Sequence, residues 1–141
     1  MSWAEALENI NYLGVALGTV AALIIGAIWY APGAFGKMWA ELIGFKKKDL
    51  EDRSGMAVSM TMSVIFYAMV SLITSALIEM TGAVGVGEGL LMGAILGFVF
   101  GFGPMAVSYG FARRKFELSL VDGGYIVTTC AAIGAVIGYI G

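Results

Sequence analysis

The sequence predicts an all-α fold, a four-helix transmembrane bundle with a short amphipathic interfacial helix in its first cytoplasmic loop. Three observations carry this. Of 141 residues, 60% are hydrophobic and 13% charged, and the mean hydropathy is +0.90. Soluble domains have about a quarter of their residues charged. The apolar residues fall into separate runs, each near the roughly 20 residues that cross about 30 Å of hydrocarbon. All 8 Lys and Arg residues lie in two short segments. Lys37, Lys46, Lys47, Lys48 and Arg53 separate the first and second runs, and Arg113, Arg114 and Lys115 the third and fourth. Basic loops beside span ends stay on the cytoplasmic side. Both termini are therefore expected outside, in the plasma membrane of a bacterium or archaeon, with residues 1–141 forming a single membrane domain.

The first span is expected at residues 11–30. Ser2 and Glu5 have capping-box spacing, so a helix starts at Trp3, with Trp3, Leu7 and Ile10 at the outer interface. Glu5 and Glu8 stand where a signal peptide needs bases, so this run reads as a retained span. Trp29 and Tyr30 suit the inner headgroup level, and Pro32 and Gly33 end the helix. Phe35, Met38, Trp39, Leu42 and Ile43 then repeat at helical spacing, predicting an interfacial helix at about residues 34–44, stopped by Gly44. The following three lysines suit anionic headgroups or simply fix orientation.

The second span is expected at residues 55–80. Ser59, Ser63, Tyr67, Ser71 and Ser75 recur at every fourth position. Such a stripe faces other helices, either for close packing or as the lining of a pathway. The third span, at residues 89–112, carries Gly89, Gly93, Gly97 and Gly101 in one GxxxG register, so another backbone is expected against that face. Pro104 should kink it. The fourth span is expected at residues 122–140, with Gly134 and Gly138 as a further small-residue pair. Gly14, Gly18 and Gly26 give the first span a small face as well. Gly14, Leu17, Gly18, Ala27 and Tyr30 match Gly93, Leu96, Gly97, Ala106 and Tyr109 at one constant offset. That reads either as a parallel repeat of two hairpins or as coincidence between Gly-rich segments.

No activity is legible. The sequence has no His and one Cys, Cys130, so the commonest metal ligand and any internal disulfide are missing. No nucleophile elbow or phosphate-binding loop occurs. The expectations are that the protein is not an enzyme, holds no cofactor and binds no nucleic acid. Ionisable groups inside membranes are functional candidates, but none is expected mid-span. Asp122 is expected near the inner surface at a helix N-terminus, as a cap or charge pair or within an inner pocket. The candidate polar cluster is Tyr30, Tyr109, Arg113, Arg114, Asp122 and Tyr125.

Trp29, Tyr30, Pro32, Phe35, Gly36 and Trp39, followed by Phe111, Arg113, Arg114, Asp122, Gly124 and Tyr125, resemble the pattern of the bacterial four-span family called domain of unknown function 1761. The resemblance covers nearly the whole chain. Ala31 stands where that pattern often has Ser, and Ala112 where an acidic residue precedes the arginines. The resemblance implies the four-span fold and no particular activity, substrate or cofactor. Small multidrug transporters, similar in length, place a glutamate midway along the first span, where this chain has Gly14, Gly18 and Thr19. Fluoride channels carry Asn and Phe motifs not found here.

The expected role is a self-associating structural bundle, or one that binds a lipid or apolar ligand whose identity the sequence leaves open. The alternative is a small channel or transporter for a neutral solute, lined by the second-span serines. A homo-oligomer is expected, most simply a dimer, with the third-span glycine face as its contact; that face has the chain's own first span as its other possible partner.

Overall fold

The computed structural model describes residues 1–141. It contains helices and no strands: α1 Trp3–Glu8, α2 Tyr12–Trp29, α3 Gly36–Ile43, α4 Lys47–Glu51, α5 Met56–Thr81, α6 Gly85–Leu96, a π-helical segment Gly97–Phe102, α7 Gly103–Phe111 and α8 Phe116–Ile140. Four stretches are long and apolar enough to cross a membrane: Tyr12–Trp29, Met56–Thr81, Gly85–Phe111 and Phe116–Ile140. This is the expected all-α four-span bundle. The segments bearing the Lys and Arg residues gather at one end of it, hereafter the basic end.

The first span does not continue from the helix begun at Trp3. Ser2 and Glu5 form the expected capping box, with Ser2 N–H donating to Glu5 Oε2 at 2.6 Å and Glu5 N–H to Ser2 Oγ at 3.2 Å. The helix nevertheless stops at Glu8, because Asn11 restarts it: its Oδ1 accepts from the amides of Leu13 and Gly14. The break folds α1 onto the far end of α5, burying Ala6 and Ile10 beside Ala76. Ile10, expected at the interface, is thus inside, while Trp3 and Leu7 are exposed.

After α2 the chain turns sharply. Phe35 N–H donates to Trp29 O at 2.9 Å and Gly36 N–H to Ala31 O at 3.1 Å. A Cβ on Gly36 would run into the Tyr30 carbonyl, so only glycine fits there. The turn launches α3, the expected interfacial helix, which ends at Gly44 in the left-handed region (φ 82°). The short α4 that follows was not anticipated.

The packing is inverted relative to a soluble protein. Only 25 of the 141 residues are buried, and they include Thr19, Ser71, Thr74, Ser75, Ser119 and Thr129. Large apolar side chains such as Ile24, Val58, Phe66 and Phe98 face outward. Lipid tails are as apolar as leucine, so close packing and interhelical hydrogen bonds must hold such helices together.

The most buried span is α8, with 39% of its apolar window enclosed, and the other spans are arranged around it. On one side Gly14 faces Ile137, and Gly18 faces Ile133 and Ser71. On the other, α6 lies backbone to backbone against it. A Cβ on Gly89 would strike the Gly134 carbonyl, one on Gly93 the Cys130 carbonyl, and one on Gly138 the Gly85 carbonyl. The third-span glycine face is therefore filled by the chain's own fourth span. That corrects both expected partners, a second copy and the first span. The matching pair Gly134 and Gly138 is what makes α8 the acceptor.

The third span is interrupted at its middle. Pro104 has no N–H to donate and its ring crowds the preceding turn. The ladder widens instead into the π segment, where Gly103 N–H reaches back to Phe98 O. Beyond it Gly97 meets Cys130 and Val127, and Gly101 meets Ile126, still on α8. In an α-helix, residues four apart drift by about 40° per step. The wide turn offsets that drift and keeps the glycine row on one partner.

Candidate functional site

The basic end of the bundle closes on a single carboxylate. Tyr30, the residue that caps the first span, donates its hydroxyl to Asp122 Oδ1 at 2.6 Å. Tyr109, near the end of α7, donates to Asp122 Oδ2 at 2.8 Å. Both oxygens act as acceptors, the pattern that a carboxylate offers, with further lone-pair positions unused. Trp29 Nε1 donates to the Val121 carbonyl at 3.0 Å, which fixes the turn of α8 that carries Asp122. Glycines leave room for these rings: Gly26 faces the Tyr125 hydroxyl and Gly124 faces the Trp29 indole.

Around the carboxylate the rings meet edge to face. Tyr30 lies 5.1 Å from Tyr125 and 5.7 Å from Trp39 between centroids, and Tyr67 lies 6.1 Å from Tyr125. Trp29 also packs on Phe35 at 4.7 Å. Pro32, by contrast, is exposed in the turn.

Of the expected polar cluster, Tyr30, Tyr109, Asp122 and Tyr125 come together and the arginines do not. Arg113 and Arg114 are exposed. Their backbone ends α7: Arg113 takes the left-handed conformation (φ 56°), and Arg114 N–H donates to the Tyr109 carbonyl at 3.0 Å. Asp122 is not at a helix N-terminus either. The fourth span starts at Phe116, so Asp122 lies more than a turn inside a helix long enough to span a membrane. What changes is the start of the fourth span, which the sequence places near Asp122 and the structure at Phe116, so the carboxylate lies inside the span close to its basic end.

Beside the cluster an open cavity of about 1270 Å³ lies between α3, the first part of α5 and the ends of α7 and α8. Ser59, Ser63 and Tyr67 line it from α5, Tyr109 and Met105 from α7, and Asp122, Tyr125 and Ile126 from α8. The second-span serine row thus divides. Ser71 and Ser75 are 0% and 2% exposed and line neither this cavity nor the apolar groove described below. Thr19 Oγ1 bonds Val15 O at 2.8 Å and meets Ser71 Oγ at 3.4 Å. Towards the far end Ala22, Ile78, Ile133 and Ile137 form a packed cluster. An apolar groove of about 530 Å³ lies between α5 and the π segment, lined by Phe66, Ile73, Leu96 and Phe100 among others. It shares Tyr67 and Ile126 with the larger cavity. No group of three metal-ligating side chains converges anywhere.

Sequence reasoning missed Trp39 and Tyr67 as neighbours of the carboxylate, placing one at the interface and the other in a packing stripe. The available signal was the equivalence of Tyr30 and Tyr109 in the two matching segments. Both tyrosines reach the same side chain.

Fold and site together define a four-span membrane protein whose helices converge on a tyrosine-held carboxylate beside an aromatic cavity. The chain belongs to the protein family of unknown function DUF1761, whose family model matches residues 13–138. No curated protein and no solved structure matches it.

Proposed function

We propose that the protein is a membrane-embedded binding protein that takes a lipid-like or otherwise largely apolar ligand in the cavity at its basic end. The observation carrying this reading is an open cavity at the basic end, beyond which the helices pack tightly. Rings and a carboxylate line its mouth, while Ser71, Thr19 and the Ala22–Ile133 cluster fill the path beyond. Concave, mostly apolar sites with a few convergent polar groups are the usual form of ligand pockets. The packing of Ser71 and Ser75 weighs against permeation along the serine row. The self-association expected from the third-span glycines loses its contact, because α8 occupies that face. The charge bias of the basic end supports a cytoplasmic side for it.

The test is native mass spectrometry of the protein extracted with its membrane lipids. A co-purifying amphiphile should be retained by the wild type and lost in Ser63→Phe, which fills the cavity. Selective solute flux through reconstituted protein, abolished by Ser71→Leu, would overturn the reading in favour of a channel.

A further inference from the structure

We propose that the site takes a single-chain cationic amphiphile, its ammonium head on Asp122 and its tail in the groove between α5 and the π segment. This rests on the ligand-binding reading above and names the chemistry of the ligand.

The head is argued from charge and ring placement. A carboxylate offers about four lone-pair positions, and the tyrosines occupy one on each oxygen of Asp122. Its protein partners are neutral hydroxyls, so its charge is left for a ligand to neutralise. The charged residues lining the cavity are Glu41, Asp52, Asp122 and Lys37. Carboxylates therefore predominate in the cavity although every Lys and Arg of the chain lies in segments at that end. An anionic head would find Lys37 alone against three carboxylates, whereas a cation is complementary to the majority. Tyr30, Trp39, Tyr67 and Tyr125 also line the cavity. Aromatic faces around a carboxylate form the setting in which alkylammonium groups are recognised.

The tail is argued from the adjacency of the two spaces. Tyr67 and Ile126 line both, so the polar cavity and the apolar groove adjoin at these two side chains. The groove exists because α5 stands away from the third span there, with Gly97 and Gly101 turned to α8. One ligand that is charged at one end and apolar along its length fits both.

The test uses purified protein in maltoside micelles with hexadecylammonium, hexadecanol or hexadecyl sulfate at equal mole fraction, with bound molecules counted by native mass spectrometry. The cation should bind about tenfold more tightly than either other chain, a ratio typical of one favourable charged contact. Asp122→Asn should remove that preference, and Ile73→Trp, which fills the groove, should weaken all three. Equal binding of the three chains to the wild type, weakened by Ile73→Trp, would overturn the cationic head while leaving the ligand-binding reading standing. No saturable binding of any chain would overturn both. The wild-type ranking decides the matter even where Asp122→Asn fails to fold.

Discussion

Tyr30 and Tyr109 hold opposite oxygens of one carboxylate, at 2.6 and 2.8 Å. They occupy equivalent positions in the first and third spans, whose equivalent glycines Gly14, Gly18, Gly93 and Gly97 all pack on α8. Both spans therefore meet the fourth along glycine faces, the first against side chains and the third backbone to backbone, and both send a tyrosine to the same carboxylate. Tyr30→Phe or Tyr109→Phe should each cost about 1.5–3 kcal/mol, as for a hydrogen bond to a charged group. The double variant should lose about 1 kcal/mol more than the sum, because the second loss leaves Asp122 with no donor. Reversible unfolding in mixed micelles measures this; strict additivity would show that the tyrosines act independently.

Substitutions along the third-span glycine row should damage folding, not assembly. Gly93→Ala places a Cβ on the Cys130 carbonyl, and such overpacking costs about 1–3 kcal/mol. Gly87, with open space around it, should accept Ala with a gain of about 0.5–1 kcal/mol. Thermal unfolding of the two variants side by side checks the contrast.

Thr129 is fully buried and its hydroxyl has no partner. Thr129→Val keeps the shape and removes the orphaned oxygen, so stability should rise by about 1–2 kcal/mol. An unfolding midpoint at or below that of the wild type would show that the hydroxyl is satisfied in the membrane.

The charge bias predicts that a cysteine introduced by Lys47→Cys is labelled only after the membrane is permeabilised. Cys130 is buried and should stay silent in the same assay. Labelling of intact cells by an impermeant reagent would invert the orientation.

Span number was readable because a length of apolar residues and a break between runs are one-dimensional properties. Two positions show where that reading stops. The fourth span was started at Asp122 because a carboxylate ordinarily marks the edge of an apolar run. Two tyrosines from other spans let it lie inside the helix, and only one of them, Tyr30, belongs to a strongly patterned stretch. The glycine row announced a close backbone contact, but i,i+4 spacing carries no partner identity. The partner was set by Gly134 and Gly138, whose carbonyls and α-carbons sit against Gly85 and Gly89. The cavity was less legible still, since it is lined from α3, α5, α7 and α8 and no single helix encodes it.

The π-helical segment makes Tyr109 a sensor of helical phase. One residue contributes about 100° of rotation in an α-helix, and the wide turn from Gly97 to Phe102 accommodates an extra one. Closing that turn to ordinary α-helix with no residue removed would leave Gly89 and Gly93 seated on α8 but swing everything downstream by about that angle. Tyr109 would then point away from Asp122. The hydrogen bond at the basic end thus depends on the winding of the chain at mid-depth.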